Sequence, residues 1–181
     1  MVVAAAVLGS VGWQYTRYAA YPRYVAVVPQ SFHGVPLNED LGGAMDAVIS
    51  EMALPPGART FSGSYQDEDS GGTIILVGAT GDLHAEDPDV LFASLREGDS
   101  SLGGGPEDTW SAAAGPLGGR MECASYATGA ADLGMCFWVD KGSIGMVMTG
   151  ITGPRDHAVL ARTARELRQA TLAPSSGRGA A

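Results

Sequence analysis

The chain contains two cysteines, Cys123 and Cys136, and a pair of thiols can hold a metal, carry out redox chemistry or form a disulfide. A metal site needs two further ligands, and none of His33, His84 and His157 lies near the cysteines in sequence. The spacing between the cysteines also excludes a C-x-x-C redox motif. A disulfide and a pair of reduced core cysteines remain as alternatives, and the predicted local structure favours the disulfide.

The segment between the cysteines has the composition of a turn between two apolar strands. If the turn is centred on the Gly129-Ala130 dipeptide, Cys123 lies directly opposite Cys136. In the same register Met121 faces Trp138. Opposed residues of antiparallel strands have Cα atoms about 4.5–5.5 Å apart, a separation that a disulfide can bridge. The sequence therefore predicts a Cys123–Cys136 disulfide, which implies an oxidising compartment.

The chain is rich in serine and acidic residues, which are common in catalytic sites. It contains no G-x-S-x-G elbow, no H-E-x-x-H sequence, no P-loop, and no G-x-G-x-x-G after a strand. The glycines of "GATGD" and "GSIG" are interpreted as short turns. Asp82, Glu86, Asp87 and Asp89 could form a carboxylate pair, but an acidic loop that leads into a capped helix explains them more simply. We assign no catalytic residue and no cofactor.

An acidic turn, "QDEDSGG", is the single candidate for a cation site in the sequence. Asp67 and Asp69 fit the first and third positions of a calcium-binding loop. Gly71 and Gly78 stand where such a loop needs its fifth ligand and its bidentate glutamate. The sequence therefore predicts no metal site.

A glycine-rich stretch from Asp99 to Gly119 shows no helical or strand periodicity and contains one large aromatic residue, Trp110. A loop of this length inside a compact domain is usually functional or disordered. We therefore predict a binding loop with Trp110 as its anchor, next to Glu107 and Asp108. The alternative is that Trp110 packs into the core and holds the loop over the sheet.

The charge of the chain is distributed unevenly along its 181 residues. Residues 38–140 contain eighteen acids and three arginines, a balance of −15, whereas the remainder sums to +6 and the whole chain to −9. Such an acidic domain is a poor partner for nucleic acid. The length favours one domain with a core of its own.

The N-terminus is predicted to be a truncated membrane anchor. Residues 1–16 carry no charge, although they fall short of the ~20 residues that span a bilayer. Residues 17–27 contain Arg17 and Arg23 and continue a cluster of aromatic side chains typical of a membrane interface. The cluster consists of Trp13, Tyr15, Tyr18, Tyr21 and Tyr24. An ordinary buried helix is the alternative, and the arginines oppose an outward-facing domain unless a more basic segment precedes them.

The remaining elements predict an α+β domain over residues 28–172, followed by a disordered tail at 173–181. Its antiparallel sheet has about five strands, in the segments "RTFSGSY", "TIILVGA", "RMECASYA", "GMCFWVD" and "IGMVMTGI". Two or three helices accompany the sheet, in the less certain "AMDAVISEM", in "EDPDVLFASLREG" and after "GPRD". Periodicity places Val90, Leu91 and Leu95 on the buried face of the middle helix, with Asp87 as its cap. The last helix has Asp156 as a cap and a buried stripe formed by Val159, Leu160, Thr163 and Leu167.

Two segments of the chain resemble an uncharacterised family of actinobacterial single-pass membrane proteins. They are "VPQSFHGVPL" and "GPLGGRMECASYATGAADLGMCFWVDKGSIGMV", and the second contains a C-x-W-x-D motif formed by Cys136, Trp138 and Asp140. The resemblance implies a transmembrane helix followed by an extracytoplasmic domain with a paired cysteine before this motif. It implies no activity, and the chain differs from the family's pattern in its short apolar start.

Three functions are compatible with these features. The favoured one is a non-catalytic binding or sensor-type domain, tethered to the cell membrane through its N-terminus and exposed on the extracytoplasmic side. Its partner is an unidentified protein or small molecule. A hydrolase of the cell envelope would show a histidine and a carboxylate in hydrogen-bond contact within a pocket. A structural subunit of a membrane assembly would show a large exposed apolar patch.

Overall fold

A computed structural model describes residues 24–38, 54–66, 72–83, 87–97, 105–127, 132–151 and 157–175 of the chain. The described strands are β1 (Tyr24–Ala26), β2 (Ser31–Phe32), β3 (Val35–Asn38), β4 (Arg59–Gln66), β5 (Thr73–Thr80), β6 (Asp108–Ala112), β7 (Arg120–Ala127), β8 (Asp132–Val139), β9 (Ser143–Ile151) and β10 (Leu172–Pro174). The two described helices are α1 (Pro88–Glu97) and α2 (His157–Thr171). The predicted anchor, the helix in "AMDAVISEM", the acidic turn and the Asp156 cap lie outside the described residues.

Eight strands form one antiparallel sheet in the order β2-β3-β4-β5-β9-β8-β7-β6. Its centre joins the β4-β5 hairpin to the β7-β8-β9 meander through pairing of β5 with β9. The two remaining strands, β1 and β10, pair with each other as a separate antiparallel ribbon. A bond from the Val27 amide to the Thr171 carbonyl, 2.9 Å long, attaches this ribbon to the end of α2.

The prediction of an α+β fold with about five strands is wrong, because the described part of the chain is mostly β. The five predicted strands are present as β4, β5, β7, β8 and β9. Five further strands were missed, and four of these have four residues or fewer. Strands this short show no alternation of their own, and Pro36 and Pro174 are residues that normally mark an edge or a break.

The main core lies between one face of the sheet and α2. Cys136 and Trp138 of β8 point to this face, and α2 covers it with Leu160, Ala164 and Leu167. The predicted helix stripe is therefore correct at Leu160 and Leu167 but wrong at Val159, which is 41% exposed. The small Ala164, fully buried, allows the helix backbone to approach the sheet closely.

A row of four residues across the sheet explains how the largest side chain fits this core. Trp138 pairs with Gly145, Gly145 with Gly78, and Gly78 with Phe61. A Cβ atom at Gly145 would overlap the Trp138 ring, and one at Gly78 would overlap the Phe61 ring. Both rings therefore lie over the glycines. Gly78 and Gly145 are strand residues, so the interpretation of them as turn residues is wrong.

Adding one methyl group to this row should destabilise the domain. We expect Gly145→Ala to lower the free energy of unfolding by about 1–3 kcal/mol, because the Trp138 ring has no space to move into. Gly150→Ala is the matched control on the same strand, since nothing lies within 4 Å of a Cβ there. That variant should be neutral or slightly stabilising. Urea denaturation of both variants measures the difference, and equal midpoints would contradict the close packing described here.

The opposite face of the sheet is covered in part by α1. The buried Phe92 ring meets the Phe137 ring edge-on at 5.8 Å, and the Arg120 guanidinium lies 5.0 Å from the Phe92 centroid. Asp87 caps this helix as predicted, because its Oδ1 accepts a 2.9 Å hydrogen bond from the Asp89 amide. The prediction that Val90 is buried is wrong, since Val90 is 63% exposed and Phe92 takes the core position. The side chains of Leu91 and Leu95 lie outside the described residues.

Candidate binding site

The predicted disulfide is confirmed. Strands β7 and β8 pair in the expected register, so that Cys123 lies opposite Cys136 and Met121 opposite Trp138. The cysteines are bonded with their Cα atoms 4.0 Å apart, and both are fully buried. The bond joins the adjacent strands β7 and β8 within the main core, so its role is structural.

The C-x-W-x-D sequence shapes the turn between β8 and β9. The Asp140 Oδ1 atom accepts hydrogen bonds from the amides of Gly142 and Ser143, at 2.6 and 2.8 Å. Its Oδ2 atom accepts a 2.6 Å bond from the Ser143 hydroxyl, which in turn accepts a 3.3 Å bond from the Trp138 indole. The carboxylate therefore fixes the turn and, through Ser143, orients the buried Trp138.

The same carboxylate forms a buried ion pair with α2. Arg168, which is fully buried, donates a 2.6 Å hydrogen bond from one terminal nitrogen to Asp140 Oδ2. Its other terminal nitrogen donates to the carbonyls of Ala114 and Gly118, both at 2.9 Å. Burial lowers the pKa of the Arg168 guanidinium, and the neighbouring Asp140 opposes that shift. The motif thus ties together the sheet, the helix and the 113–119 segment, and each of its three residues has a structural contact.

The predicted binding loop is in part a strand. Residues 108–112 form β6, the edge strand that pairs with β7 and places Trp110 opposite Cys123. The half-buried Trp110 packs on the main core, and its ring stacks on His157 with centroids 3.6 Å apart. Asp108 Oδ2 lies 3.6 Å from His157 Nε2, and the Glu107 amide donates a 2.8 Å bond to the Ser125 carbonyl. The use of these residues in binding stays a prediction, since their described contacts attach the edge strand to β7 and α2.

Truncation of Trp110 separates a packing role from a purely surface role. We expect Trp110→Ala to cost about 1–2 kcal/mol of stability, because the ring packs on the core and also stacks on His157. Ser111→Ala, on the same strand at an exposed position, is the control and should cost little. Chemical denaturation provides the measurement. A loss below about 0.5 kcal/mol for Trp110→Ala would show that the stack contributes almost nothing.

A polar cleft of about 570 Å³ lies four strands away from β6, at the end of the sheet where β4 begins and β5 ends. One wall is β1, including Tyr24. The other wall includes Arg59, Thr60 and Thr80, with Ser175 after β10 completing the rim. Register explains this grouping, because Arg59 pairs with Thr80 at the end of the β4-β5 hairpin. A volume of this size is within the range of small-molecule sites.

The charge inside the cleft comes from Arg59. Arg120, another arginine of the acidic central segment, is neutralised by Asp89 and Glu122. Arg59 has no ion-pair partner within the described ranges, and the described lining of the cleft contains no carboxylate. The described lining therefore presents one positive charge in a domain whose central segment is strongly acidic.

No family model, curated protein or solved structure matches the chain.

The described residues contain no cluster of three or more potential metal ligands. Over the same ranges, no helix combines the length and hydropathy needed to cross a membrane. A histidine and a carboxylate do meet at His33 and Glu166, where Nε2 and Oε2 are 2.9 Å apart. Both side chains are largely exposed to solvent, and neither belongs to the lining of the cleft.

The cleft was missed by sequence reasoning because its residues come from distant segments. Arg59 stands at the start of a predicted strand, which is an ordinary position for a solvated arginine. Tyr24 was interpreted as part of an interfacial aromatic cluster, whereas it lies in β1 and donates a 3.3 Å hydrogen bond to the Leu117 carbonyl. The one available signal was charge, since residues 38–140 contain three arginines and Arg59 is not adjacent to an acid.

Proposed function

We propose that this protein is a non-catalytic sensor-type binding domain, tethered to the cell membrane on its extracytoplasmic side, and that its ligand occupies the cleft beside Arg59. The observation that carries the proposal is a preformed concavity whose described lining contains Arg59 and several hydroxyl-bearing residues. Its volume is within the range of small-molecule sites, where a few polar groups fix the orientation of the ligand. The described lining has no histidine or carboxylate to act as a general acid or base, which favours binding over hydrolysis.

The extracytoplasmic location is supported by the disulfide. Bonds of this kind persist in secreted and envelope proteins and are rare in reducing cytoplasm. The membrane tether is supported by the apolar composition of residues 1–16 and by the resemblance to actinobacterial single-pass proteins. Location and tether are independent parts of the proposal and can be tested separately.

A sensor role is supported by the position of β1. This strand follows directly on residues 17–23 of the predicted juxtamembrane stretch, and it forms one wall of the cleft. Its three residues are held by pairing with β10 and by the Val27–Thr171 bond. A ligand that contacts both β1 and the β4-β5 end would therefore stabilise one position of the chain segment closest to the membrane.

Amide chemical shifts recorded during a screen of small polar compounds test the binding role. We expect the perturbations to cluster at β1, Thr60, Thr80 and Gly81 and to spare the exposed face of α2. A Ser175→Trp variant should block binding by filling the rim, whereas the control Ser111→Trp on β6 should bind as the parent does. Chemical-shift changes at residues outside the cleft alone, or an unchanged affinity in Ser175→Trp, would contradict the proposal.

A further inference from the structure

We infer that the cleft recognises a small hydroxylated carboxylate, with the Arg59 guanidinium as the partner of the carboxylate group. This inference rests on the proposed function and specifies its ligand class.

The charge of the described lining selects for a single negative charge. Arg59 is its one ionised side chain, and no described carboxylate neutralises it. A guanidinium presents a planar fork of donors that matches the two oxygens of a carboxylate. A phosphomonoester carries up to two charges, and with one cation in the described lining its second charge would stay uncompensated in an acidic domain.

The hydroxyl groups around Arg59 select for a ligand that hydrogen-bonds along its length. Thr80, which pairs with Arg59 and so shares its face of the sheet, and Ser175 each carry a hydroxyl that can donate or accept. Tyr24 forms part of the wall, and its hydroxyl donates a hydrogen bond to the Leu117 carbonyl. Burial raises the pKa of the Tyr24 phenol, so this side chain is neutral at physiological pH. A ligand with several hydroxyl groups can therefore form hydrogen bonds with this lining both as a donor and as an acceptor.

The size and polarity of the cleft exclude long apolar ligands. A volume of about 570 Å³ accommodates a molecule of several carbons. Val25 and Ala26 are the largest aliphatic side chains in the described lining, and Val25 is 48% exposed. The carboxylate of a fatty acid could pair with Arg59, but its hydrocarbon chain would contact little apolar surface. A sugar acid would use both the guanidinium and the hydroxyl groups of the lining.

Gluconate and sorbitol are the probes that test this inference, because they have the same carbon number and differ in the carboxylate. We expect gluconate to bind with a millimolar dissociation constant, measured from amide shifts at the cleft, and sorbitol to bind at least about tenfold more weakly. Arg59→Gln should remove that preference. Arg59→Lys should retain part of it, since lysine keeps the charge but loses the fork. Arg162→Gln, at an exposed position on α2, is the control and should bind as the parent does.

The outcomes separate the ligand class from the proposed function. Equal binding of gluconate and sorbitol at the cleft, or gluconate binding unchanged in Arg59→Gln, would overturn the carboxylate assignment and leave the binding role standing. Inorganic phosphate that competes more strongly than gluconate would overturn the assignment in the same way. If neither these probes nor any compound of the screen perturbs the cleft, both the inference and the proposed function fail. Melting temperatures of the variants must match the parent, since Arg59 is exposed and outside the core.

Discussion

Replacing Arg168 with methionine is expected to lower the free energy of unfolding by about 3–5 kcal/mol, because it leaves the Asp140 carboxylate buried without its cation. The Asp140 and Arg168 side chains are 6% and 0% exposed, so water cannot take over the lost interaction. The carbonyls of Ala114 and Gly118 lose their donor at the same time. Urea denaturation monitored by circular dichroism measures the loss.

A control on the same helix separates burial of the pair from loss of an arginine. Arg165 lies one turn earlier and donates a 3.3 Å bond to the Ala113 carbonyl from an exposed position. We expect Arg165→Met to cost less than about 1 kcal/mol. In the double variant Asp140→Asn/Arg168→Met the two losses should not add, because each single variant leaves one buried charge unpaired, whereas the double variant leaves neither. Equal costs for Arg165→Met and Arg168→Met would contradict the role assigned to the ion pair.

The register of the β7-β8 hairpin could be predicted from sequence because it depends on one local choice. Once the turn is placed at Gly129-Ala130, antiparallel pairing fixes every opposed pair, including Cys123 with Cys136. The ion pair between Asp140 and Arg168 could not be predicted in this way, because 28 residues separate the two side chains. Nothing in the sequence distinguishes an arginine that will be buried from the other arginines of the same helix. The C-x-W-x-D motif is visible in the sequence. Its structural role depends on α2, because Asp140 pairs with Arg168 of that helix.

The missed strand β6 shows a different limit. Its residues include Asp108, Ser111 and Ala112, which have low intrinsic preference for strands, and glycines and prolines surround it. Pairing with the strongly apolar β7 and packing of Trp110 on the core supply what local preference lacks. Pairing with β7 thus makes this segment a strand. The prediction of a loop was wrong at residues 108–112 because it used only the local sequence and not the contacts with other strands. The same argument applies to β1 and β10, which are strands because they pair with each other.

Reduction of the Cys123–Cys136 disulfide is expected to destabilise the domain by about 3 kcal/mol, because the bond closes a loop of ~14 residues and limits the unfolded chain. Comparing oxidised and reduced protein of the same sequence in urea isolates this effect, since substitution would also open a cavity at two fully buried positions. The double variant Cys123→Ala/Cys136→Ala is the control, and its midpoint should not respond to reductant.

Titration of thiols links the same bond to the proposed location. Protein taken from its native compartment and unfolded without reductant should contain no free thiol, since Cys123 and Cys136 are bonded and are the two cysteines of the chain. Two free thiols would mean that the hairpin folds around reduced cysteines, which its other β7-β8 pairs allow because the backbone register does not depend on the bond. That result would remove the support for an oxidising compartment. It would not affect the proposal that a ligand binds in the cleft beside Arg59.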